Sequence, residues 1–305
     1  RVLRATQTIV DEGLARPVLI GRPDVVRARI EQLGLRIQAD KHFELVDPED
    51  DPRYDSYWRE FHAIMERKGV SPEAARTIVR TNSTVIAALM MQRGEVDTMI
   101  CGTYGQYDWH LRYVTDIIGL KEGGRDISAI SVLIIPKGTF FFCDTHVTVN
   151  PSVEELVEMT IMAAETVRRF GLEPKIALLS HSNFGSAGTA SAVKMSAAVK
   201  RLREIAPDLE VDGEMHADAA LNEELRERVF PNSILKGQAN LMILPTLDTA
   251  NTAFNLLKSL GEGVSVGPIL IGLAKPVHIV TPSITVRGLV NMSAMAVVDA
   301  QKQEK

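Results

Sequence analysis

Four short segments constrain this chain more than anything else in it: "VDTMIC" (96–101), "KIALLS" (175–180), "ANLMILP" (239–245) and "GPILIGL" (267–273). Each is an almost continuous apolar run rather than an alternation, which is the pattern of a strand buried on both faces. Helical patterns lie between them. Leu156, Met159, Ala163, Val167 and Phe170 recur on one face, with Ser152 and Glu155 spaced as a capping box at the start and Gly171 as the stop. Strand–helix alternation of this regularity requires parallel pairing with right-handed crossovers, so the fold class is α/β.

Shorter signals fill in the amino-terminal half. "PVLIG" (17–21) reads as a strand, Pro23 starts a helix toward Gly34, and "YWREFHAIMERKG" reads as a helix stopped by Gly69. Ser71-Pro72 opens another helix, with Ser as N-cap and Pro at its first position, and that helix is expected to run to Gly94. "ISAISVLIIPKGTFFFCDT" predicts a strand, a Pro-Lys-Gly turn and a second strand, which adds an antiparallel pair. A length of 305 residues predicts two domains, or one large domain with insertions. The expected division puts 1–147 with 279–305 in a first α/β domain and 148–278 in a second, inserted one.

Three predicted strand ends carry polar residues that converge on ligand chemistry, because open α/β sheets bind ligands beyond the carboxyl ends of their strands. "LLSHSNFGSAG" (178–188) enters a helix expected from about Gly188. Its small residues Ser182, Asn183, Gly185, Ser186 and Thr189 allow close approach, and a helix start offers unsatisfied N–H groups to an anion. Simple capping is the plain alternative, and the glycine spacing matches neither the Walker loop nor the dinucleotide fingerprint. "DGEMHADAAL" sets Asp212, Glu214, His216 and Asp218 at alternate positions, a metal-like pattern only if a strand persists through all four; loss of register near Glu214 is the stronger expectation. "LPTLDTANTAFN" offers Asp248 and Asn251 before a helix expected from about Thr249, with Asp248 as a plain N-cap the competing role. Gly267 and Pro268 belong to the Gly/Pro-rich crevice-edge sequence before "HIVTPSITVRGLV" (278–290), which holds two hydroxyl-rich turns and no carboxylate.

"CGTYGQYDWHLRYV" (101–114) gathers Tyr104, Tyr107, Tyr113 and Trp109, in a chain with five tyrosines and two tryptophans. Such a cluster suits a planar ligand or a subunit interface, and Arg112 beside it has the planar fork that grips a phosphate or carboxylate. Cys101 and Cys143 sit inside apolar runs without metal or redox spacing, so buried reduced thiols are expected and no metal site is predicted. A formal charge of −5 argues against a broad nucleic-acid surface. No apolar run approaches the roughly 18 residues of a membrane helix and no signal peptide is visible, so no membrane partner and a cytoplasmic location are expected. The opening "RVLRATQTIVDEGLARP" starts inside a helical pattern without Met, which suggests a segment of a longer protein.

Taken together, "GEVDTMICGT…LRYVTDIIG", "NPSVEEL", "LLSHSNFGSAG", "VDGEMHADAA", "KGQANLMILPTLDTANTAFNLLKSLG" and "GPILIGLAKPV" resemble the phosphate acetyl/butyryltransferase (phosphotransacetylase) family along nearly the whole chain. The resemblance implies two α/β domains of the isocitrate/isopropylmalate dehydrogenase-like type, mostly parallel sheets, an interdomain cleft and a homodimer. It also implies acetyl transfer between CoA and phosphate by a Ser-Arg pair and an Asp in a segment of the form PVxxLSRGxSxxDIV. Here that segment is "PVHIVTPSITVRGLV", which puts Thr281, Pro282 and Gly288 at the three reactive positions. Glycine cannot accept the thiol proton and proline cannot offset an acyl phosphate's charge; general-base catalysis alone contributes about 10²–10⁴-fold. The family's Arg persists as Arg112, while its preceding Thr-Ala-Asp-Thr is Tyr107-Asp108-Trp109-His110.

This combination resembles the C-terminal phosphotransacetylase-like part of bacterial NADP-dependent malic enzymes. The resemblance implies a catalytically silent domain that binds acetyl-CoA as an allosteric effector through Arg112, Tyr104, Tyr107, Ser182, Asn183, Gly185, Ser186, Asp248, Asn251, Gly267, Pro268 and Thr281. The parent reaction would convert malate to pyruvate and CO2, with NADP and a divalent metal on a part absent from these residues. A homodimer through this domain is expected, in a higher oligomer of the whole enzyme. Two alternatives stand beside this reading: an active phosphate acetyltransferase that uses His110 or His278, and a purely structural oligomerisation module.

Overall fold

The computed structural model describes residues 1–303. In chain order the elements begin with α1 (Val2–Asp11), β1 (Val18–Ile20), α2 (Pro23–Gln32), β2 (Glu44–Val46), α3 (Tyr54–Met65), α4 (Pro72–Thr81), α5 (Ser83–Gln92), β3 (Met99–Cys101) and α6 (Tyr107–Ile118). They continue with β4 (Ser128–Ile135), β5 (Gly138–Cys143), α7 (Val153–Arg169), β6 (Lys175–Leu179), α8 (Ala190–Ile205), β7 (Glu210–Met215), α9 (Ala217–Leu221) and α10 (Glu223–Val229). Then follow β8 (Leu241–Ile243), α11 (Leu247–Leu260), β9 (Val264–Ile271), β10 (Val277–Ile279) and α12 (Val286–Gln303). The fold is α/β with mostly parallel pairing.

Two compact units divide the chain: Arg1–Glu122 with Leu273–Lys305, and Gly123–Gly272. The expected boundaries at 147/148 and 278/279 therefore move to 122/123 and 272/273. Pairing explains both shifts. The hairpin β4–β5 is stitched by β5 to β8 and by β4 to β9, so it belongs to the sheet of the second unit.

In the first unit β1 pairs in parallel with β2, and β10 pairs in parallel with β3. The helix at its centre is α5, buried nearly all round through Val85, Ile86, Ala88, Leu89, Met90 and Met91. Tyr57, Trp58, Phe61 and Met65 of α3 and Val114, Ile117 and Ile118 of α6 are also buried. The single helix expected from Ser71 to Gly94 is two helices. Asn82 adopts extended backbone and its side chain accepts from Thr84 and Val85 N–H, capping α5 immediately after α4 ends.

The second unit is built on one six-stranded sheet of order β7-β6-β8-β5-β4-β9. The four strands β7, β6, β8 and β5 are mutually parallel, and β4 runs antiparallel to both of its neighbours. The capping box at Ser152 forms as the sequence predicts, Ser152 Oγ accepting from Glu155 N–H and Glu155 accepting from Ser152 N–H. Past β7 come two short helices, α9 and α10, divided by a capping asparagine, Asn222.

Arg226 on α10 is fully buried and donates to four backbone carbonyls, those of Ala219, Ala220, Leu235 and Gly237. These contacts hold α9 and the segment before β8 to α10. Arg226→Met should lower the unfolding free energy by at least about 3 kcal/mol, because the carbonyls would be left buried without a donor. A denaturant melt with an unchanged midpoint would overturn that role.

Candidate functional site

The carboxyl end of β6 runs into the Ser/Gly loop, and the loop folds around a carboxylate of its own chain. Glu214 is 1% exposed, and its Oε1 accepts from Ser182 Oγ at 2.8 Å and from Gly185 N–H at 2.7 Å. Phe184 N–H donates to the Glu214 carbonyl at 2.7 Å, and Ala187 N–H donates to Ser182 Oγ at 3.0 Å. Asn183 N–H donates to Ser186 Oγ, and Asn183 Oδ1 accepts from His216 N–H. Phe184 sits at φ +48°, a conformation that disfavours side chains, and is held by this bonding and by its ring 3.9 Å from that of Phe230.

These contacts correct the expectation that Ser182 and the loop amides face a bound anion. Ser182 is fully buried and its hydroxyl is committed to Glu214, while Gly185 is exposed with its N–H already taken. Helix α8 starts at Ala190, not near Gly188, with Thr189 as its N-cap. The alternate acidic residues also separate. Asp212 is buried against Arg203 and Ser233, Glu214 serves the loop, and His216 lies just past the end of β7. Among the described residues, no group of three His, Cys, Asp or Glu side chains is placed to hold a metal ion.

At the end of β8 the N-cap of α11 is Thr246, in a reciprocal pair with Thr249, so Asp248 is an exposed first-turn residue and not the cap. Asn251 Nδ2 donates to the Thr145 carbonyl and its Oδ1 accepts from Asn255, which ties α11 to the end of β5. Gly267 and Pro268 lie within β9, not in a crevice loop. Gly267 has φ +124°, and a Cβ there would stand 2.8 Å from the Ile130 carbonyl, beside the register shift between Ile130 and Val132. Pro268 is buried.

Sequence reasoning missed the polar cluster at the end of β5. Asp144 accepts from the N–H groups of Ala129, His146, Val147 and Thr148, and burial raises its pKa against those bonds. Thr145 Oγ1 joins Ser131 Oγ at 2.8 Å and His146 Nδ1 at 2.9 Å. Burial, with the charge of Lys258 adding to it, pushes His146 down to about 4, so its imidazole is neutral at pH 7. Lys194 of α8 was missed as well; its ammonium donates to Asn150 Oδ1 and the Pro245 carbonyl, both at 2.8 Å, and burial lowers its pKa. The sole signal for either was a polar residue beside a strand end.

In the first unit, β10 leads into the segment at the family's reactive positions. Thr281 Oγ1 lies 3.0 Å from Ser283 Oγ, and the Arg1 guanidinium donates to the Pro282 and Ile284 carbonyls at 2.5 and 2.7 Å. Gly288 N–H donates to Thr285 Oγ1 at 3.0 Å, and a Cβ at 288 would meet Ile284 Cγ1 at 2.8 Å. His278 is 1% exposed with Nε2 3.2 Å from Asp299 Oδ2. His110 is fully buried, its Nδ1 2.8 Å from Thr84 Oγ1 and its Nε2 2.6 Å from the Tyr104 carbonyl.

The aromatic cluster forms around that histidine. Tyr104 stands edge-on to it at 5.5 Å, Trp109 packs edge-on at 4.7 Å, and Tyr113 is T-shaped against Trp109. Tyr104 is half exposed, with its hydroxyl 2.9 Å from Ser83 Oγ, and Tyr107 is partly buried. Arg112 is exposed on α6 and makes no ion pair among the described residues. No helix of the described residues is long and apolar enough to cross a membrane.

The chain belongs to the phosphate acetyl/butaryl transferase family, whose model matches residues 1–297. It is 54% identical over 300 residues to the NAD-dependent malic enzyme of Rhizobium meliloti, covering 98% of this chain and 39% of that protein. It is 52% identical to the NADP-dependent malic enzyme of Escherichia coli, covering 99% of this chain and 40% of that one. The chain thus spans about two fifths of these relatives' length. Among solved structures it is similar to a phosphotransacetylase from Streptococcus pyogenes, with TM-score 0.88, 28% identity, and coverage of 100% of this chain and 91% of that one.

The depressed pKa of His146 has a measurable consequence. Between pH 6.5 and about 4 the unfolded chain takes up a proton that folded His146 refuses, so folding loses stability as pH falls through that window and no more below it. His146→Gln should flatten that part of the Tm-against-pH curve relative to the native chain. Parallel curves for the two proteins would remove His146 as the titrating group.

Proposed function

We propose that this chain is an acetyl-CoA-binding regulatory domain of a malic enzyme and is itself silent as an acyltransferase. The observation that carries the reading is the chemistry of 281–288. Thr281, Pro282 and Gly288 supply neither base nor cation, and the packing of Ile284 against Gly288 leaves no room for a larger side chain without rearrangement. The two candidate replacement bases are both buried and engaged, His110 with Thr84 and Tyr104, His278 with Asp299. That speaks against a relocated acetyl transfer from CoA to phosphate.

Arg112, Tyr104 and Tyr107 are the first-unit contacts proposed for acetyl-CoA, with Thr281 at the emptied segment. Ser182 and Pro268 of the second unit are buried and are not proposed contacts. The malate-oxidising chemistry, giving pyruvate and CO2 with a nicotinamide cofactor and a divalent metal, is assigned to the part of the relatives that this chain does not cover. Relatives named for NAD and for NADP are about equally similar to this chain, which supports assigning cofactor choice to the part that it does not cover. A cytoplasmic homo-oligomer with a dimer through this domain completes the proposal. For regulation, acetyl-CoA must prefer one global state of the enzyme, typically by about 1–3 kcal/mol.

Two measurements test the reading. Acetyl-CoA should bind saturably by calorimetry, several-fold more weakly in Arg112→Ala, and phosphate-dependent turnover of acetyl-CoA should be absent. Turnover at ordinary enzymatic rates would overturn the silent-domain reading, and absence of any binding heat at millimolar acetyl-CoA would leave the domain a scaffold.

A further inference from the structure

The arginines packed on α3 are not equivalent. Arg53 and Arg93 lie over the ring of Tyr57, Arg76 lies 4.1 Å from the ring centre of Trp58, and Arg80 lies 4.5 Å from that of Tyr54. The first two have their forks filled. Arg53 pairs with Asp51 at 2.8 Å and Glu95 at 2.9 Å, and Arg93 pairs with Glu60 at 2.6 Å. Arg76 and Arg80, one turn apart on α4, make no ion pair among the described residues, although they stack as closely as Arg93 does at 4.5 Å.

A ring covers one face of a guanidinium and leaves its in-plane N–H edge free. That edge is what a phosphate or carboxylate accepts from in a two-point contact. Holding the fork on an aromatic face also removes much of the rotamer freedom that a binding event would otherwise have to freeze. Arg76 and Arg80 together line a cleft of about 400 Å³ between α3 and α4.

The other polar groups of that cleft are largely committed. The Thr77 hydroxyl donates to the Glu73 carbonyl, the Thr81 hydroxyl to the Thr77 carbonyl, and the Tyr54 hydroxyl to the Arg76 carbonyl. Asp55 accepts from the Trp58 indole N–H, and Glu73 lies in the first turn of α4, where the helix dipole favours a negative charge. The donors left over are the two guanidinium edges. Two cations beside two carboxylates make no strong net field, which disfavours a polyanion and favours a small ligand recognised by fork geometry.

We propose that this cleft binds a small phosphorylated ligand, carrying a phosphate monoester or a diphosphate, through Arg76 and Arg80. The site is on α3 and α4, separate in sequence from Arg112 and from 281–288, and it does not rest on the acetyl-CoA reading.

Calorimetric titration of the protein with inorganic pyrophosphate tests it at constant, low ionic strength. Saturable binding is expected, weakened by at least about tenfold in Arg76→Lys/Arg80→Lys, which keeps both charges and loses both forks. An unchanged thermal midpoint in that variant shows that packing on α3 survives. Arg59→Lys, which also contacts the Trp58 ring but does not line the cleft, should bind as the native protein does, and so should Arg112→Ala. Lack of saturable binding overturns the proposal, as does undiminished binding in Arg76→Lys/Arg80→Lys. Loss of binding in Arg112→Ala would also overturn it, since pyrophosphate would then report the Arg112 surface. The acetyl-CoA reading stands or falls separately, on acetyl-CoA binding to the Arg112→Ala protein.

Discussion

A buried backbone N–H without an acceptor costs about 1–3 kcal/mol, and the turns beyond β5, β6 and β7 present many of them at once. The second unit answers with its own carboxylates. Asp144 collects four backbone N–H groups from β4 and from the turn after β5. Glu214 collects the Ser182 hydroxyl and the Gly185 N–H, and Asp212 joins Arg203, Ser233 and the Ile234 N–H. All three side chains are nearly inaccessible to solvent. The loops that give this end of the sheet its shape are therefore wrapped around internal anions, and the geometry of any ligand surface there is inherited from them.

That arrangement also explains why the Ser/Gly loop is misleading when read as sequence. Small residues and hydroxyls before a helix signal close approach and spare donors, but not what approaches. Here the approaching group is Glu214, 32 residues beyond Ser182 and paired through adjacent strands. Local spacing cannot reveal it. The strands themselves were legible because their physics is local: continuous apolar runs at 96–101, 175–180 and 239–245 became β3, β6 and β8. Helix breaks were legible only in part. Asn82 and Asn222 each interrupt a continuous helical pattern by the same means, extended backbone with the amide oxygen capping the next turn. An asparagine inside a helical run can equally face solvent, so the pattern alone does not announce the cap. The strand β2 is as short as β3 and β8, but it lies in "HFELVDP", where Glu44 and Asp47 break up the apolar run that marks the other two.

The domain boundary failed for a related reason. "NPSVEEL" is a sharp change of local pattern, and the capping box there is real, but a boundary is a property of pairing and not of helix starts. Because β5 pairs with β8 and β4 with β9, the hairpin joins the later residues despite its position before the helix. In the first unit the return is governed in the same way: β10 pairs with β3 across a large sequence separation, and that pairing carries residues 281–288 into place.

For that segment, the proposed silence as an acyltransferase does not entail absence of binding. A base and a cation accelerate transfer by stabilising charge that develops in the transition state, and ground-state affinity need not depend on either. Thr281, Pro282 and Gly288 supply neither, and the segment has a definite form: Thr285 holds the Gly288 N–H, Ile284 closes over Gly288, and Arg1 holds the Pro282 and Ile284 carbonyls. Under the proposed reading, a shaped, bonded loop without reactive groups suits a domain that binds an acyl-CoA without consuming it, because turnover would remove the signal.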